Sequence, residues 1–254
     1  MNSQSSTPTA DKVRPTIPLI SIIIVVRNGK STLARAIESI SRQSFKNFEL
    51  IIVDGVSTDG TLDVIGANNQ VVHNWISEPD RGIYDAMNKG VGLARGEWVY
   101  FLGCDDVLLE CLGQVAVRLV DKRAIYYGNV VKTGSETVYD GKFSSWKLLR
   151  RNICHQAMFY PRSVFDRHQF SLSYPRLADW EFNLRCYADD KLRFEYIPVD
   201  IARYNDVTGV SATAKDQQFI RDQARIIREC LPLGCYAWYC AKQSAHKFNR
   251  LLFR

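Results

Sequence analysis

Residues 96–106, GEWVYFLGCDD, hold a short apolar segment that runs directly into two adjacent carboxylates. Residues 98–102 are apolar and rich in β-branched and aromatic side chains, which is typical of a central strand in a parallel sheet. Ligands bind beyond the carboxyl ends of the strands in open α/β sheets, so Asp105 and Asp106 are placed to face a ligand. Carboxylates at that position suit a hard cation, such as Mg²⁺ or Mn²⁺, that bridges to phosphate oxygens.

Asp106 has a second interpretation, because Asp is a good N-cap and a helix is predicted over residues 107–120. We leave both interpretations open for Asp106. For Asp105 we favour the metal, since the rest of the chain supplies further groups for a phosphate ligand.

The first half of the chain alternates strands with helices. Strands are predicted over residues 19–26, 48–53 and 71–76, before the central strand at 98–102. Helices are predicted after Ser31, over residues 62–67 and 83–93, and at 107–120. Such alternation predicts a three-layer α/β/α fold with a mostly parallel sheet and right-handed crossovers.

The alternation breaks after Asp121. Strands are predicted over residues 124–131, 137–143, 153–160 and 192–204, with helices over 144–150 and 177–187 and from 212 onward. Pro198 indicates that the last strand lies at an edge or is bulged. We predict a disordered lead-in at 1–16, two halves of one domain at 17–123 and 124–211, and a helical tail at 212–254.

Composition excludes several classes of function. The 33 Lys and Arg against 27 Asp and Glu give a net charge of +6, too mild to indicate a nucleic-acid partner. The 7 cysteines form no CxxC pair, so a zinc site is not expected, and reduced thiols indicate a cytoplasmic protein. The polar amino terminus lacks the apolar core of a signal peptide, and no apolar run is long enough to span a bilayer.

Three carboxylates follow consecutive predicted strands: Asp54, Asp80 and Asp105. Each alone has an ordinary explanation as a turn or cap residue, but together they are expected to face one crevice. Arg81 and Lys89 are the nearest basic candidates for a phosphate. Neither a P-loop nor a GxGxxG fingerprint occurs in the sequence.

Four segments together resemble the inverting family-two glycosyltransferases, which have the GT-A fold. They are SIIIVVRNGKSTLARAIESISRQSFKNFELIIVDGVSTDGT at 21–61, SEPDRGIYDAMNKGVGLARGEWVYFLGCDD at 77–106, HQAMFYPRSVF at 155–165 and ADWEFNLR at 178–185. The resemblance covers about residues 17–204, and it makes 17–123 the nucleotide-sugar-binding half and 124–211 the acceptor-binding half.

The resemblance implies a nucleoside-diphosphate sugar as donor and Mg²⁺ or Mn²⁺ as cofactor. Asp54 matches the acidic position that holds the base. Arg27 and Asn28 match a nucleotide-contacting turn, and Asp80 and Arg81 match the loop over the ribose and diphosphate. Asp105 matches the last carboxylate of the family's Asp-x-Asp motif and would hold the metal.

The second half is expected to supply the acceptor site. Asp179 matches the catalytic base, with Glu181 as a weaker rival because it would point to the other side of a helix. His155 and Gln156 match the segment that lines the acceptor pocket. A lone His in an apolar strand is also often a core residue, and for His155 we leave both interpretations open.

The sequence departs from the family pattern at two positions. The first Asp of the metal motif is Gly103 here, and the second strand ends in Asp54-Gly55 where many members carry two Asp residues. These departures leave open a rival function, a catalytically silent protein that binds sugar nucleotides and acts as an interaction module.

The tail combines basic and aromatic residues. Residues 230–254 carry Lys242, Lys247, Arg250 and Arg254 without any Asp or Glu. A basic, aromatic helix can lie in an anionic membrane interface, although it can equally pack against the domain or a partner. By analogy with the family, we expect the chain to transfer a sugar to a saccharide acceptor that is linked to a lipid. The reaction would belong to surface polysaccharide assembly and take place at the inner face of the cell membrane.

Overall fold

The computed structural model describes residues 17–139, 141–207 and 216–252; side chains are described up to residue 245. The predicted lead-in at 1–16 lies outside the described residues. The first half contains β1 (Ile20–Val26), α1 (Lys30–Ser41), β2 (Phe48–Asp54), α2 (Thr61–Ala67), β3 (Asn74–Ser77), α3 (Ile83–Leu93) and β4 (Trp98–Gly103).

The second half is less regular. Its strands are β5 (Val107–Leu108), β6 (Ala124–Lys132), β7 (Val138–Tyr139), β8 (Met158–Pro161) and β9 (Arg193–Tyr204). Its α-helices are α4 (Leu112–Ala116), α5 (Ser145–Leu148), α6 (Ala178–Ala188), α7 (Gln217–Cys230) and α8 (Leu233–Leu252). Two 3-10 turns, His155–Ala157 and Arg162–Asp166, flank β8.

One sheet joins both halves. Its strand order is β3-β2-β1-β4-β8-β6-β9-β5, with β7 beside β6. Strands β3, β2, β1 and β4 are parallel, whereas β8 is antiparallel to both β4 and β6. β6 and β9 are again parallel, which makes most of the sheet parallel as predicted.

The central strands are buried on both faces because their apolar runs are continuous. In β1, Ile22 and Ile24 pack into the core on one face, and Ile23 packs into the core on the other. These three side chains are fully buried. Each contributes about 1.5–3 kcal/mol from burial. Two-sided burial therefore explains why β1, β2 and β4 could be predicted from sequence.

The amino ends of the central strands are joined by the buried carboxylate of Glu49. Its Oε1 accepts hydrogen bonds from Ser21 Oγ at 2.6 Å and from the Arg95 backbone N–H at 2.7 Å. The Arg95 guanidinium also pairs with Oε2 at 2.9 Å. Glu49 thus connects β2, β1 and the segment that leads into β4.

Two predicted elements were wrong. The helix expected at 107–120 begins instead as β5, in which Val107 pairs with Arg203 of β9, and α4 is confined to Leu112–Ala116. Asp106 therefore does not cap a helix. The strand expected at 153–160 is also shorter, because His155 and Gln156 lie in a 3-10 turn ahead of β8.

Three further strands also differ from prediction. The third strand is β3 at Asn74–Ser77 rather than 71–76, and β7 is confined to Val138–Tyr139 within the predicted 137–143. β9 is bulged as expected, with register shifts opposite Tyr127, Asn129 and Val130. It lies between β6 and β5 rather than at an edge.

The carboxyl-terminal part was predicted to be helical from residue 212, and its described residues form two helices, α7 and α8. Residues 212–215 and 253–254 lie outside the described residues. Phe219 of α7 is buried and its ring stacks on Trp180 of α6, with centroids 5.2 Å apart. Pro232 separates α7 from α8, whose Cys235 is buried. Within the described ranges, no helix is both long and apolar enough to cross a membrane.

Candidate functional site

A cavity of about 450 Å³ opens beyond the carboxyl ends of β1 and β4. Six of the residues singled out from the sequence line it: Arg27, Asn28, Asp80, Asp105, His155 and Gln156. We call this space the donor cavity, after the role that the sequence resemblance implies for its lining residues. The convergence arises because β1 and β4 are parallel neighbours, so the loops that follow them meet at one edge of the sheet.

The loop after β1 is held in place by the loop after β2. Asn28 has a left-handed backbone with φ 54°, which Asn tolerates better than most residues. Its side-chain Oδ1 accepts a hydrogen bond from the Thr58 N–H at 2.9 Å, and the Gly29 N–H donates to Thr61 Oγ1 at 2.9 Å. The turn that carries Arg27 is therefore fixed before any ligand binds.

Asp54 lies beneath this loop and is fully buried. Its carboxylate accepts hydrogen bonds from the Ser57 N–H at 3.0 Å, from Ser57 Oγ and from Ser77 Oγ at 2.7 Å. Among the described residues, the lining of the donor cavity does not include Asp54. The structure thus shows Asp54 organising the loop after β2.

Asp80 and Arg81 separate in the structure. Asp80 lines the donor cavity and accepts a hydrogen bond from the Gly82 N–H at 2.9 Å. A Cβ atom at Gly55 would lie 2.4 Å from Asp80 Oδ2, so glycine allows this close approach. Arg81 is instead 77% exposed and pairs with Asp85, and Lys89 pairs with Glu78 at 2.8 Å.

Two carboxylates meet around Gly103 at the end of β4. A Cβ atom there would lie 2.3 Å from Asp106 Oδ2 and 3.1 Å from Asp105 Oδ1. Asp106 thus fills the space that a longer side chain at 103 would need. It accepts hydrogen bonds from Gln156 Nε2 at 2.7 Å and from the Asn205 N–H at 2.8 Å.

Asp105 and Asp106 have different environments. Asp106 is buried, and burial raises the pKa of its carboxyl. Asp105 lines the donor cavity, where its Oδ2 accepts a hydrogen bond from Asn205 Nδ2 at 2.8 Å. The neighbouring thiol of Cys104 stays protonated, since burial and then Asp105 raise its pKa to about 11. Of these two carboxyl groups, Asp105 is therefore the one that lines the cavity and can meet a ligand.

The donor set around Asp105 fits a magnesium-type ion that is shared with phosphate. Such ions often take only one or two carboxylates from the protein and complete their shell with water and phosphate oxygens. Within the described residues, no group of three or more His, Cys, Asp or Glu side chains could hold a metal on its own. Asp105 could contribute one carboxylate ligand once a diphosphate supplies the others.

A second cavity of about 240 Å³ is also lined by His155. We call it the acceptor cavity, after the role that the sequence resemblance implies for Asp179. Asp179 lines it, and His155 and Gln156 line both cavities. His155 Nδ1 lies 3.3 Å from Asp179 Oδ2. Asp179 Oδ1 accepts a hydrogen bond from the Trp180 N–H at 2.9 Å. It also lies 2.9 Å from Tyr84 Oη, whose single proton it shares with the Arg176 carbonyl at 2.8 Å.

Sequence reasoning missed Tyr84 and Asn205. Tyr84 projects from the first turn of α3 and reaches Asp179 across 95 positions of the chain. Asn205 follows β9 and contacts Asp105 across 100 positions. Neither residue carries a local signal in the sequence, because both contacts depend on the packing of one half against the other.

Residues 21–181 match the family described as Glycosyl transferase family 2. The chain belongs to this family. A PGL/p-HBAD biosynthesis glycosyltransferase of Mycobacterium tuberculosis is 40% identical over 216 residues, which cover 80% of this chain and 83% of that protein. An uncharacterized glycosyltransferase of Haemophilus influenzae is 24% identical over 199 residues, which cover 65% of this chain and 59% of that protein. The resemblance of the sequence to the family-two glycosyltransferases is thus confirmed.

Solved structures confirm the GT-A fold. Staphylococcus aureus TarS 1-349 in complex with UDP-GlcNAc has a TM-score of 0.70 at 16% identity, covering 83% of this chain and 67% of that one. Mannosyltransferase PcManGT from Pyrobaculum calidifontis, in complex with GDP-Man and Mn2+, has a TM-score of 0.60 at 14% identity. The match covers 85% of this chain and 63% of that one. The chain thus spans about two thirds of these solved chains, and such identities carry the fold alone.

Proposed function

We propose that this chain is an inverting glycosyltransferase that moves a sugar from a nucleoside-diphosphate donor to a saccharide acceptor. One observation carries the proposal: His155 lines both cavities, with Asp105 in the donor cavity and Asp179 in the acceptor cavity. The leaving group from one cavity and the attacking hydroxyl from the other would therefore reach the same anomeric carbon. Family membership supports glycosyl transfer as the reaction.

The donor cavity suits a nucleoside diphosphate. Arg27 offers positive charge beside the fixed turn at Asn28, and Asp80 offers acceptor oxygens for a ribose. Asp105 would hold a Mg²⁺ or Mn²⁺ ion against the diphosphate. When bound, that ion offsets the negative charge that develops on the leaving phosphate. Asp54 supports base recognition in this proposal by holding the loop after β2.

Asp179 is the proposed general base. The acceptor oxygen forms a bond to the anomeric carbon while the bond from that carbon to the phosphate oxygen breaks. The hydroxyl proton passes to the Asp179 carboxylate, and the nucleoside diphosphate leaves with the bonding electron pair. Attack opposite the leaving group inverts the anomeric carbon. Hydrogen bonds from Tyr84 and Trp180 fix the carboxylate for this transfer.

A lipid-linked saccharide at an anionic membrane is the acceptor that we propose, and the tail supports it. Three large apolar residues are exposed on or beside α8: Leu233 at 78%, Trp146 at 44% and Trp238 at 39%. The rings of Trp146 and Trp238 pack edge to face, with their centroids 6.3 Å apart. Lys242 Nζ lies 5.1 Å from the centroid of the Trp238 ring. Exposed indole rings beside basic groups suit an anionic lipid interface.

The proposal is tested by nucleoside diphosphate release from a panel of nucleotide sugars with Mn²⁺, with and without a chelator. Oligosaccharide and lipid-linked acceptors are supplied in turn, and the anomeric configuration of the product is read by NMR. Metal-dependent release with an inverted product supports the transferase. Metal-dependent donor binding without turnover by any acceptor would instead favour the silent sugar-nucleotide-binding protein.

A further inference from the structure

The acceptor cavity contains a cation that its proposed chemistry does not require. Lys132 lines the cavity together with Asp179 and His155. The proton transfer proposed for Asp179 does not need the Lys132 ammonium. This charge therefore indicates a feature of the ligand rather than of the reaction.

Lys132 is the cation best placed for a ligand. It ends β6, opposite Tyr204 of β9, and its ammonium lies 5.4 Å from the ring centroid of Tyr139. Within the described residues, Lys132 forms no ion pair with Asp or Glu.

The walls around Lys132 are largely apolar or aromatic. Tyr139, Leu177 and Tyr204 all contribute to the lining and are half-buried. Tyr139 is held by a hydrogen bond from its hydroxyl to the Asn152 carbonyl at 2.7 Å. A partly enclosed ammonium between such walls interacts with an anion more strongly than it would in open water.

We propose that the acceptor carries an anionic group, a carboxylate or a phosphate ester, that pairs with Lys132 while its reacting hydroxyl faces Asp179. This inference rests on the proposed glycosyl transfer and specifies its acceptor class. The Lys132 ammonium attracts the anion, and the Asp179 carboxylate repels it. The lining beside them includes Tyr139, Leu177 and Tyr204, which favours an acceptor with a ring or chain that separates the two groups.

The inference is tested by calorimetric titration of the full chain with phenyl phosphate, benzoate and neutral benzyl alcohol. The Lys132→Met variant removes the ammonium and keeps an unbranched side chain. Lys122→Met is the matched control, because Lys122 precedes β6, is 65% exposed and pairs with Glu97. Thermal unfolding of each variant confirms that the fold is retained.

We expect both anions to bind the wild type more tightly than benzyl alcohol does. Lys132→Met should weaken the anions by about 10- to 100-fold and leave benzyl alcohol unchanged, and Lys122→Met should change nothing. The ratio between phenyl phosphate and benzoate identifies whether a phosphate ester or a carboxylate is preferred. Equal affinity for charged and neutral rings, or unchanged anion affinity in Lys132→Met, would overturn the inference.

Nucleotide binding separates this inference from the proposed function. If UDP displaces phenyl phosphate competitively, Lys132 serves the donor and the acceptor assignment is wrong. If nucleotide sugars bind but the anions do not, this inference alone fails. If the anions bind through Lys132 but no nucleotide sugar binds or reacts, the transferase proposal fails.

Discussion

His155 Nδ1 lies 3.3 Å from Asp179 Oδ2, where the donor cavity and the acceptor cavity share lining residues. The other carboxylate oxygen of Asp179 accepts hydrogen bonds from Tyr84 and from the Trp180 N–H. Both oxygens are therefore held by groups from three different parts of the chain. Such fixation is what a group needs if it is to receive a proton from a hydroxyl in one defined position.

Asp179→Asn should separate chemistry from binding. The amide keeps the shape of the side chain but cannot take a proton, so transfer should fall about 10²- to 10⁴-fold. The donor affinity should remain within twofold or so, because Asp179 lines the acceptor cavity. The measurement pairs turnover with donor titration. Asp190→Asn, at an exposed position, is the control. An equal loss of donor binding would show that the role of Asp179 is misassigned.

Tyr84→Phe should remove a hydrogen bond to Asp179 without creating a cavity in the core. The ring still packs against Phe170 at 5.6 Å, and only the hydroxyl is lost. One hydrogen bond contributes about 0.5–1.5 kcal/mol, so kcat should fall roughly 2- to 12-fold at constant donor KM. Burial, followed by the charge of Asp179, raises the pKa of Tyr84 well above 10, so the hydroxyl remains a donor throughout an ordinary assay range.

The pH profile distinguishes this positioning role from a proton-transfer role for Tyr84. The Phe variant should lower kcat by the same factor at every pH between 6 and about 9, because the phenol is protonated throughout. Tyr187→Phe is the matched control, since that ring packs against Phe194 at the other end of α6. A factor that changes with pH would contradict the positioning role.

Glu49→Gln should destabilise the sheet. Burial opposes ionisation, but the hydrogen bonds from Ser21 and Arg95 outweigh it and hold the pKa of Glu49 below its ordinary value of 4.5. A lowered pKa means that this stabilisation is present above pH 4.5 and is lost as the pH falls through the lower folded-state value. The substitution should lower the free energy of unfolding by about 1–3 kcal/mol at neutral pH.

Urea unfolding at pH 7 and at pH 3 measures this contribution. The difference between wild type and Glu49→Gln should shrink at the lower pH, because pH 3 lies below the ordinary value of 4.5 and the unfolded chain then binds a proton at Glu49. Glu38→Gln, at an exposed position on α1, provides the control. A difference that stays constant with pH would mean that the charge of Glu49 does not contribute.

Much of the fold could be predicted because the central strands carry two-sided burial in their own sequence. The helix expected at 107–120 failed because its first residues are held by the other half of the chain: the Asn205 N–H binds Asp106, and Val107 pairs with Arg203. The local spacing of apolar residues does not predict pairing between residues that are far apart in the sequence. The same limit explains why His155 was expected in a strand and lies in a 3-10 turn.

The candidate site was predictable to the extent that strand ends define it. Asp54, Asp80 and Asp105 were expected at one crevice; Asp80 and Asp105 line one cavity, whereas the lining described does not include the buried Asp54. Arg81 could not be placed from the sequence, because its side chain pairs with Asp85. The roles assigned to the site residues and to the tail, and the boundary between the halves near residue 124, stay predictions.

Replacement of Trp146 and Trp238 by Ala should weaken the association of the protein with anionic liposomes. The two rings are exposed and contact each other, so the double variant removes apolar surface without opening the core. A further Lys242→Ala change should reduce the association by about 1 kcal/mol in vesicles rich in phosphatidylserine. Co-sedimentation measures the effect. Trp75→Ala, at 45% exposure on the edge strand β3, is the control. Unchanged association would refute the membrane contact.

The central claim is that Asp105 and its neighbours hold a metal-bound diphosphate at the carboxyl ends of β1 and β4. The most direct measurement is a thermal-shift titration of the wild type and Asp105→Asn with UDP-, GDP- and dTDP-sugars in the presence of Mn²⁺. A ligand at about 100 times its Kd adds roughly 2.7 kcal/mol of stability to the folded state. We predict that one nucleotide raises the wild-type Tm by several degrees, and that EDTA or Asp105→Asn removes the shift. A shift that persists in Asp105→Asn, or no shift with any nucleotide sugar, would contradict the account.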